Sequence, residues 1–388
     1  MRARTIAAAL TGCVFATVAW TTLADLGSAA GPEAQASVQS WAISAQPTVV
    51  IGAGGEPGHE LDYVYDAARL ADGRIVVANG GREVRYYSAT GQYLFQHGRP
   101  GAGPGEYRAM RRLHVARGDT LWLYDNLLPR FTVLSPSGSL VRVVRLEARG
   151  SPGLVGTLAN GTLVVGPVVR RWIKTGPSTE AGELEYRFLT PDGRAIGATI
   201  PFRGPDAFVV TFRDGRGQRA LPFAVEPTAA TSQTHLYSAS PTADSVYTYD
   251  SRGSLTRVFS LGLSPRRVSQ TDITRLLEIE LSALASESAR RSYRELFRQL
   301  PKPDIFPALR TLIVDSYGLI WCESFAYDPD REAWWTIVDS LGRTVAKAKA
   351  PPGVSVTRIG PNYVVGIRRL PGEPDQVGMY SLVRTAPD

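Results

Sequence analysis

The chain has 388 residues and a formal net charge of +7 at pH 7, with 44% apolar and 20% charged residues, 38 Gly and 27 Pro. That balance excludes an intrinsically disordered chain and suits a globular protein rich in turns. The basic excess comes partly as pairs (Arg111-Arg112, Arg170-Arg171, Arg266-Arg267, Arg290-Arg291 and Arg368-Arg369), spaced too evenly for the continuous stripe a nucleic acid requires, so the expected partner is anionic but not a nucleic acid.

Residues 1–36 read as a signal peptide. Arg2 and Arg4 form a positive start, residues 6–20 an apolar stretch, and Ala34-Gln35-Ala36 a cleavage signal. The apolar stretch is short for a membrane span, so export to a periplasm or beyond is expected. Leu10-Thr11-Gly12-Cys13 resembles a lipobox, and lipidation of Cys13 is the alternative, the one route that would tie the protein to a membrane. Once the leader is removed Cys322 is the sole cysteine. Its place after Trp321 in an apolar strand predicts a buried, inert thiol.

Residues 37–388 read as one domain. Residues 37–47 form a polar lead-in, and Thr48-Val49-Val50-Ile51 a first strand, predicted to pair with the C-terminal strand at 378–383 and so close a ring. A repeat follows. Gly52 with Glu60 recurs as Gly98 with Glu106, both 46 residues on, each time in a Gly-Pro-rich loop ahead of short strands. Short strands at such a period predict propeller blades. A phosphate cradle is the rival reading of the loop, but Pro100 and Pro104 remove N–H donors, Glu106 repels anions, and a strand follows instead of a helix. The loop therefore reads as a joint between blades, with Glu106 capping backbone donors.

Five polar turns ending in glycine mark the hairpins: Ser88 to Gly91, Ser135 to Gly138, Thr190 to Gly193, Asp250 to Gly253 and Asp339 to Gly342. With the final strands these predict an all-β, six-bladed β-propeller. A helical insertion (about 264–304) separates blades four and five: Ile273, Leu276, Leu277, Leu281 and Leu284, then Tyr293, Leu296, Phe297 and Leu300, recur at helical spacing. Ser269 and Asp272 supply a capping pattern, and Pro301 and Pro303 a stop.

The Pro-Gly-Glu-aromatic loop, the stretch Val314-Asp315-Ser316-Tyr317-Gly318-Leu319-Ile320-Trp321 and the ending Tyr380-Ser381-Leu382-Val383-Arg384 resemble the NHL-type six-bladed β-propellers. More narrowly, they resemble exported bacterial six-bladed β-propeller proteins of unassigned function. The resemblance implies architecture over residues 48–386 and no single activity.

Chemical motifs are sparse. His59, His97, His114 and His235 show no metal-ligand spacing, and no nucleophile elbow appears. No cofactor is expected; some propellers of the wider group are metal-dependent lactonases or lyases, so a channel-bound divalent metal and a hydrolase or lyase remain the alternative. Asp125 with Asn126 ends an inner strand, and an Asp125–Arg130 ion pair across the following turn competes with a functional role for Asp125. Asp125, Asn126, Asn79, Asp315 and Glu323 are the candidate ligand-binding residues. Of Trp321, Trp334 and Trp335, strand alternation sends at least one into the core. The expected function is an exported scaffold that binds a protein or anionic envelope component at one rim and the channel mouth, without catalysis.

Overall fold

The five glycine turns owe their shape to the residue that opens each one. Ser88 Oγ accepts from Thr90 N and Gln92 N, Ser135 Oγ from Ser139 N, and Thr190 Oγ1 from Arg194 N. Asp250 Oδ1 accepts from Arg252 N and Ser254 N, and Asp339 Oδ1 from Leu341 N and Arg343 N. These bonds add to the backbone pairing of the bend, in which the glycine N–H donates to the opening residue's carbonyl, and this is why Ser, Thr and Asp recur there.

The computed structural model describes residues 38–385 apart from 56, 147–151, 172–181, 206, 213–214, 241–243, 265, 329–332 and 370–371. The predicted signal peptide and Cys13 lie outside the described residues.

The turns join strands into antiparallel sheets. Sheet 1 is Val64–Arg69, Ile75–Asn79, Glu83–Tyr87 and Tyr93–His97; sheet 2 is Met110–Val115, Leu121–Asp125, Arg130–Leu134 and Leu140–Arg145. Sheet 3 is Gly153–Thr157, Leu163–Arg171, Glu183–Leu189 and Ala195–Arg203; sheet 4 is Thr228–Thr231, Leu236–Ala239, Ser245–Tyr249 and Leu255–Ser260. Sheet 5 has nine strands: Leu309–Val314, Ile320–Ser324, Ala333–Val338, Thr344–Ala350, Gln39–Ile43, Gln376–Val383, Tyr363–Arg368 and Val354–Ile359 in that order, with Val49–Ile51 also on Gln376–Val383. A hairpin of Ala207–Phe212 and Gly215–Ala220 stands apart, unforeseen in the sequence.

The first strand of each sheet lies beside that of the next, and Val354–Ile359 returns to Val64–Arg69, giving an all-β, propeller-like ring. The turns interlock the sheets at the periphery. A methyl group on Gly138 would meet the Phe95 ring of sheet 1, on Gly193 Val144 of sheet 2, on Gly253 the backbone of Ala198 in sheet 3, and on Gly342 Phe259 of sheet 4. Gly91 meets Val49 in the same way, so sheet 5 touches sheet 1 and the circuit closes. Between the sheets lie apolar clusters such as Val76, Tyr86, Met110 and Leu123, or Tyr124, Phe131, Leu154 and Val165.

Ring closure follows the predicted strand exchange: Val49 pairs with Met379, Val50 with Gly378 and Ile51 with Val377. The polar lead-in needs correction. Gln39–Ile43 within it is a strand, parallel to Thr344–Ala350 and antiparallel to Gln376–Val383. Its Trp41 is buried against Trp321, which gives an outwardly polar segment an apolar reason to pair.

The helical insertion consists of α1 (Gln270–Ser282) and α2 (Glu287–Gln299). The Ser269–Asp272 capping box is present, and Asp272 also holds Tyr327 and Arg266, which fastens the start of α1 to the connection between Ile320–Ser324 and Ala333–Val338 of sheet 5. Trp321 and Trp335 are buried while Trp334 is 47% exposed under Lys349, as alternation requires. Cys322 is buried, and burial pushes its thiol up to about 12.

Candidate functional site: the central cavity

The inner strands are among the sites of the sheets' irregularities. The register shifts at Tyr65, Arg111, Val155, Arg310 and Thr357, so each of those strands carries one extra residue. Such bulges break the in-out alternation and re-aim side chains. Tyr65, Val155, Arg310 and Thr357 thereby join the lining of a cavity of about 750 Å³ bounded by the inner strands. The size suits a small organic ligand.

The lining carries three guanidinium groups in different states. Arg358 is engaged: Nη2 donates to Asp66 Oδ2 at 3.1 Å and to the Leu113 carbonyl at 3.0 Å, and Nη1 donates to the Thr357 carbonyl. Thr357 Oγ1 in turn donates to the Ala67 carbonyl, tying the last inner strand to the first. Arg310 approaches Glu323 Oε1 only to 3.7 Å, outside hydrogen-bond distance. The Arg112 guanidinium makes no hydrogen bond or ion pair among the described residues, and its side chain faces the cavity from sheet 2.

The other polar groups are shaped by burial. Burial raises the Asp66 carboxyl despite Arg358 beside it. Burial, with the charge of Arg358 added, pushes the His114 imidazole down to about 3, so it is neutral at physiological pH. Glu323 is 3% exposed; burial pushes its carboxyl up, and its Oε1 accepts no hydrogen bond. The buried Tyr186 hydroxyl also has no partner, and burial pushes it up, with Glu226 and Arg112 close enough to pull it in opposite directions. Both residues line the cavity, and a buried polar atom without a partner is an exception that asks for a cause.

Of the five candidate residues from the sequence, Glu323 alone lines this cavity. Asp125 accepts from the backbone N–H groups of Arg108, Ala109, Leu127 and Leu128 and so holds the turn after its strand. Asn126 N donates to the Ala109 carbonyl in the same turn. Asn79 accepts from Asp62 N and donates to Glu83. Asp315 receives Trp321 Nε1 and Arg384 Nη1, both at 2.8 Å. The expected Asp125–Arg130 ion pair is replaced: Arg130 donates to the carbonyls of Ala102, Gly103 and Glu106. Arg85 does the equivalent for Gly58 and Glu60 in the first copy of the loop. Glu106 meanwhile accepts from Gly103 N and Arg99. The loop is a joint, and its own carbonyls take both Nη groups of the arginine that would have met an anion.

Sequence reasoning missed Asp66, Arg112, His114, Arg310 and Arg358. Their signal was a charged or imidazole side chain in the first strand of a repeat, where an otherwise apolar strand has little other use for one. Among the described residues no three His, Cys, Asp or Glu side chains converge, and Asp66 and Glu323 already face guanidinium groups. That donor set does not fit a divalent cation.

No protein-family profile and no curated protein sequence matches the chain. Solved structures do. A member of the DUF4221 family from Bacteroides vulgatus is 8% identical with a TM-score of 0.52, covering 89% of this chain and 99% of that one. A Bacteroides fragilis protein bearing the name "putative exported protein" is 9% identical with a TM-score of 0.50, covering 89% and 96%. The likeness is one of fold. Virginiamycin B lyase from Staphylococcus aureus aligns at 9% identity over 83% of this chain and 95% of its own, with a TM-score of 0.40. No helix among the described residues is long and apolar enough to cross a membrane.

Proposed function

We propose that this protein is an exported, six-bladed β-propeller of NHL type that binds an anionic component of the cell envelope in its central channel, without catalysis. In this reading the nine-stranded sheet is two blades, bridged at their outer edges by Gln39–Ile43. The succession of inner strands around the ring and the 46-residue period of the loops support it.

The observation that carries the binding reading is Arg112, a cation lining the cavity that makes no hydrogen bond or ion pair among the described residues, with Asp66 near enough only to feel its charge. A guanidinium with open donors in such a place binds carboxylate or phosphate in two-point fashion. Arg310, held only loosely by Glu323, offers a second cation on the other side of the ring.

Citrate serves as a probe. Titrated into the purified protein, it is expected to raise the melting temperature in a saturable way, as any ligand restricted to the folded state does. Arg112→Ala is expected to abolish the shift. A shift that persists in Arg112→Ala, or none in the unaltered protein, overturns the reading.

A further inference from the structure

Resting on that reading, we infer that the channel takes an acidic oligosaccharide, with a uronate carboxylate on Arg112, sugar hydroxyls reaching Glu323, and a sugar ring packed on the aromatic row that leads from the surface into the cavity. Three independent features converge on that class of ligand.

The first is the row itself. Arg369 lies over the Tyr63 ring at 4.7 Å, Tyr63 packs on Tyr65 with centroids 4.7 Å apart, and Arg111 lies over Tyr65 at 4.6 Å. Tyr65 lines the cavity and hydrogen-bonds Arg111, whereas Tyr63 is 54% exposed, so the row runs from solvent to channel. Aromatic rings offer apolar faces to the C–H side of a sugar, while Arg111 and Arg369 stand at the two ends of the row, Arg369 also paired with Asp375.

The second is the mixture of open groups inside. A simple anion such as phosphate would use Arg112 but would leave the other polar groups of the lining unmet. Glu323 Oε1 lacks a hydrogen bond and needs a donor, and the Tyr186 hydroxyl needs a partner too. A ligand that pairs one anionic group with several hydroxyls satisfies all of them, since hydroxyls donate as well as accept.

The third is the wall between these groups. The inner strands are sheet edges, whose channel-side N–H and C=O groups are unpaired by any further strand. Thr231 and Ser355 add hydroxyls among them, whereas Thr228 Oγ1 accepts from Leu312 N and pairs with Thr311 Oγ1, and Thr357 Oγ1 donates to the carbonyls of Ala67 and Val365. A polar wall that offers donors and acceptors in alternation suits a polyol, not a hydrocarbon.

Calorimetric titration of the full protein separates the possibilities, with three probes: tetragalacturonate, the neutral galactose tetramer and citrate. Tetragalacturonate is expected to bind, the neutral tetramer at least about tenfold more weakly, and Arg112→Ala and Tyr63→Ala each to weaken tetragalacturonate about tenfold or more. Glu323→Gln is expected to weaken both sugars but not citrate. Tyr63 is exposed, so its replacement tests binding in a protein whose melting temperature should be unchanged. Citrate binding without tetragalacturonate binding overturns this inference and leaves the anion-binding reading standing. Equal affinity for the neutral and acidic tetramers, or full affinity in Tyr63→Ala, overturns the inference. No binding of either anion overturns both.

Discussion

Asp125 shows how a carboxylate can look catalytic and be architectural. Its two oxygens accept four backbone N–H groups, so Asp125→Ala leaves buried donors without partners and should destabilise the protein by about 2–4 kcal/mol in urea unfolding. Citrate binding, in contrast, should survive that change at temperatures where the variant is folded. His114 gives a second prediction. The unfolded chain takes up the imidazole proton near pH 6.5, whereas the folded chain resists until about pH 3. Stability should therefore fall as pH drops through that window, by up to about 1.4 kcal/mol per pH unit. His97, also pushed down by burial, acts in the same direction. Asp272, held down at about 2 by hydrogen bonds from Ser269 and Tyr327, adds a further loss only below its unfolded value of 3.8. Denaturant titrations between pH 7 and 4 should show the slope and its flattening in His114→Gln; an unchanged slope in that variant would place the imidazole in water. The residue types of a site were legible in the sequence, but their places were not. Asp125, Asp315 and Asn79 occupy strand ends that need acceptors, and a sequence does not separate that demand from a ligand's. The channel groups were hidden because a bulge at Arg310 or Tyr65 breaks the two-residue alternation from which facing is read.

The elements were more legible, because their signals are local. A polar residue followed three positions later by glycine specified all five hairpin turns, and Ser269 with Asp272 specified the start of α1. What the turns also do could not be read: each glycine sits against the neighbouring sheet. Gly342 has φ of +86°, and a methyl group there would come within 2.5 Å of the Phe259 ring. Gly342→Ala should therefore cost about 1–3 kcal/mol, from left-handed backbone strain and from lost contact between sheets 4 and 5, visible as a lower urea midpoint. Ser269→Ala should cost about 1 kcal/mol and should be felt first in α1, as faster amide exchange over Gln270–Ser282. The strand Gln39–Ile43 escaped because it is short and its partners are distant in the chain. Nothing within five residues of it announces a sheet.

At the scale of the molecule, the repeat disclosed the ring, since a 46-residue period of short strands has few other solutions. The joining of its last two strand groups into one nine-stranded sheet is a tertiary event. Removing residues 38–47 should leave the edges of Thr344–Ala350 and Gln376–Val383 open over the length that Gln39–Ile43 now covers. Edges of that kind recruit strands from other molecules, so light scattering on the truncated protein should report association that the full chain lacks. Monodisperse truncated protein with an unchanged melting temperature would mean that the strand is ornamental.

That strand also sets a timetable. Gln39 pairs with Ala346 and Ala42 with Val383, so the first described strand waits for Thr344–Ala350 and Gln376–Val383 to be made before it has a place. Sheets 1 to 4 can each form from contiguous chain as it emerges, but the clamp between Thr344–Ala350 and Gln376–Val383 cannot. The cavity, walled by strands from the first sheet to the last, therefore closes only once Val354–Ile359 has taken its place beside Val64–Arg69.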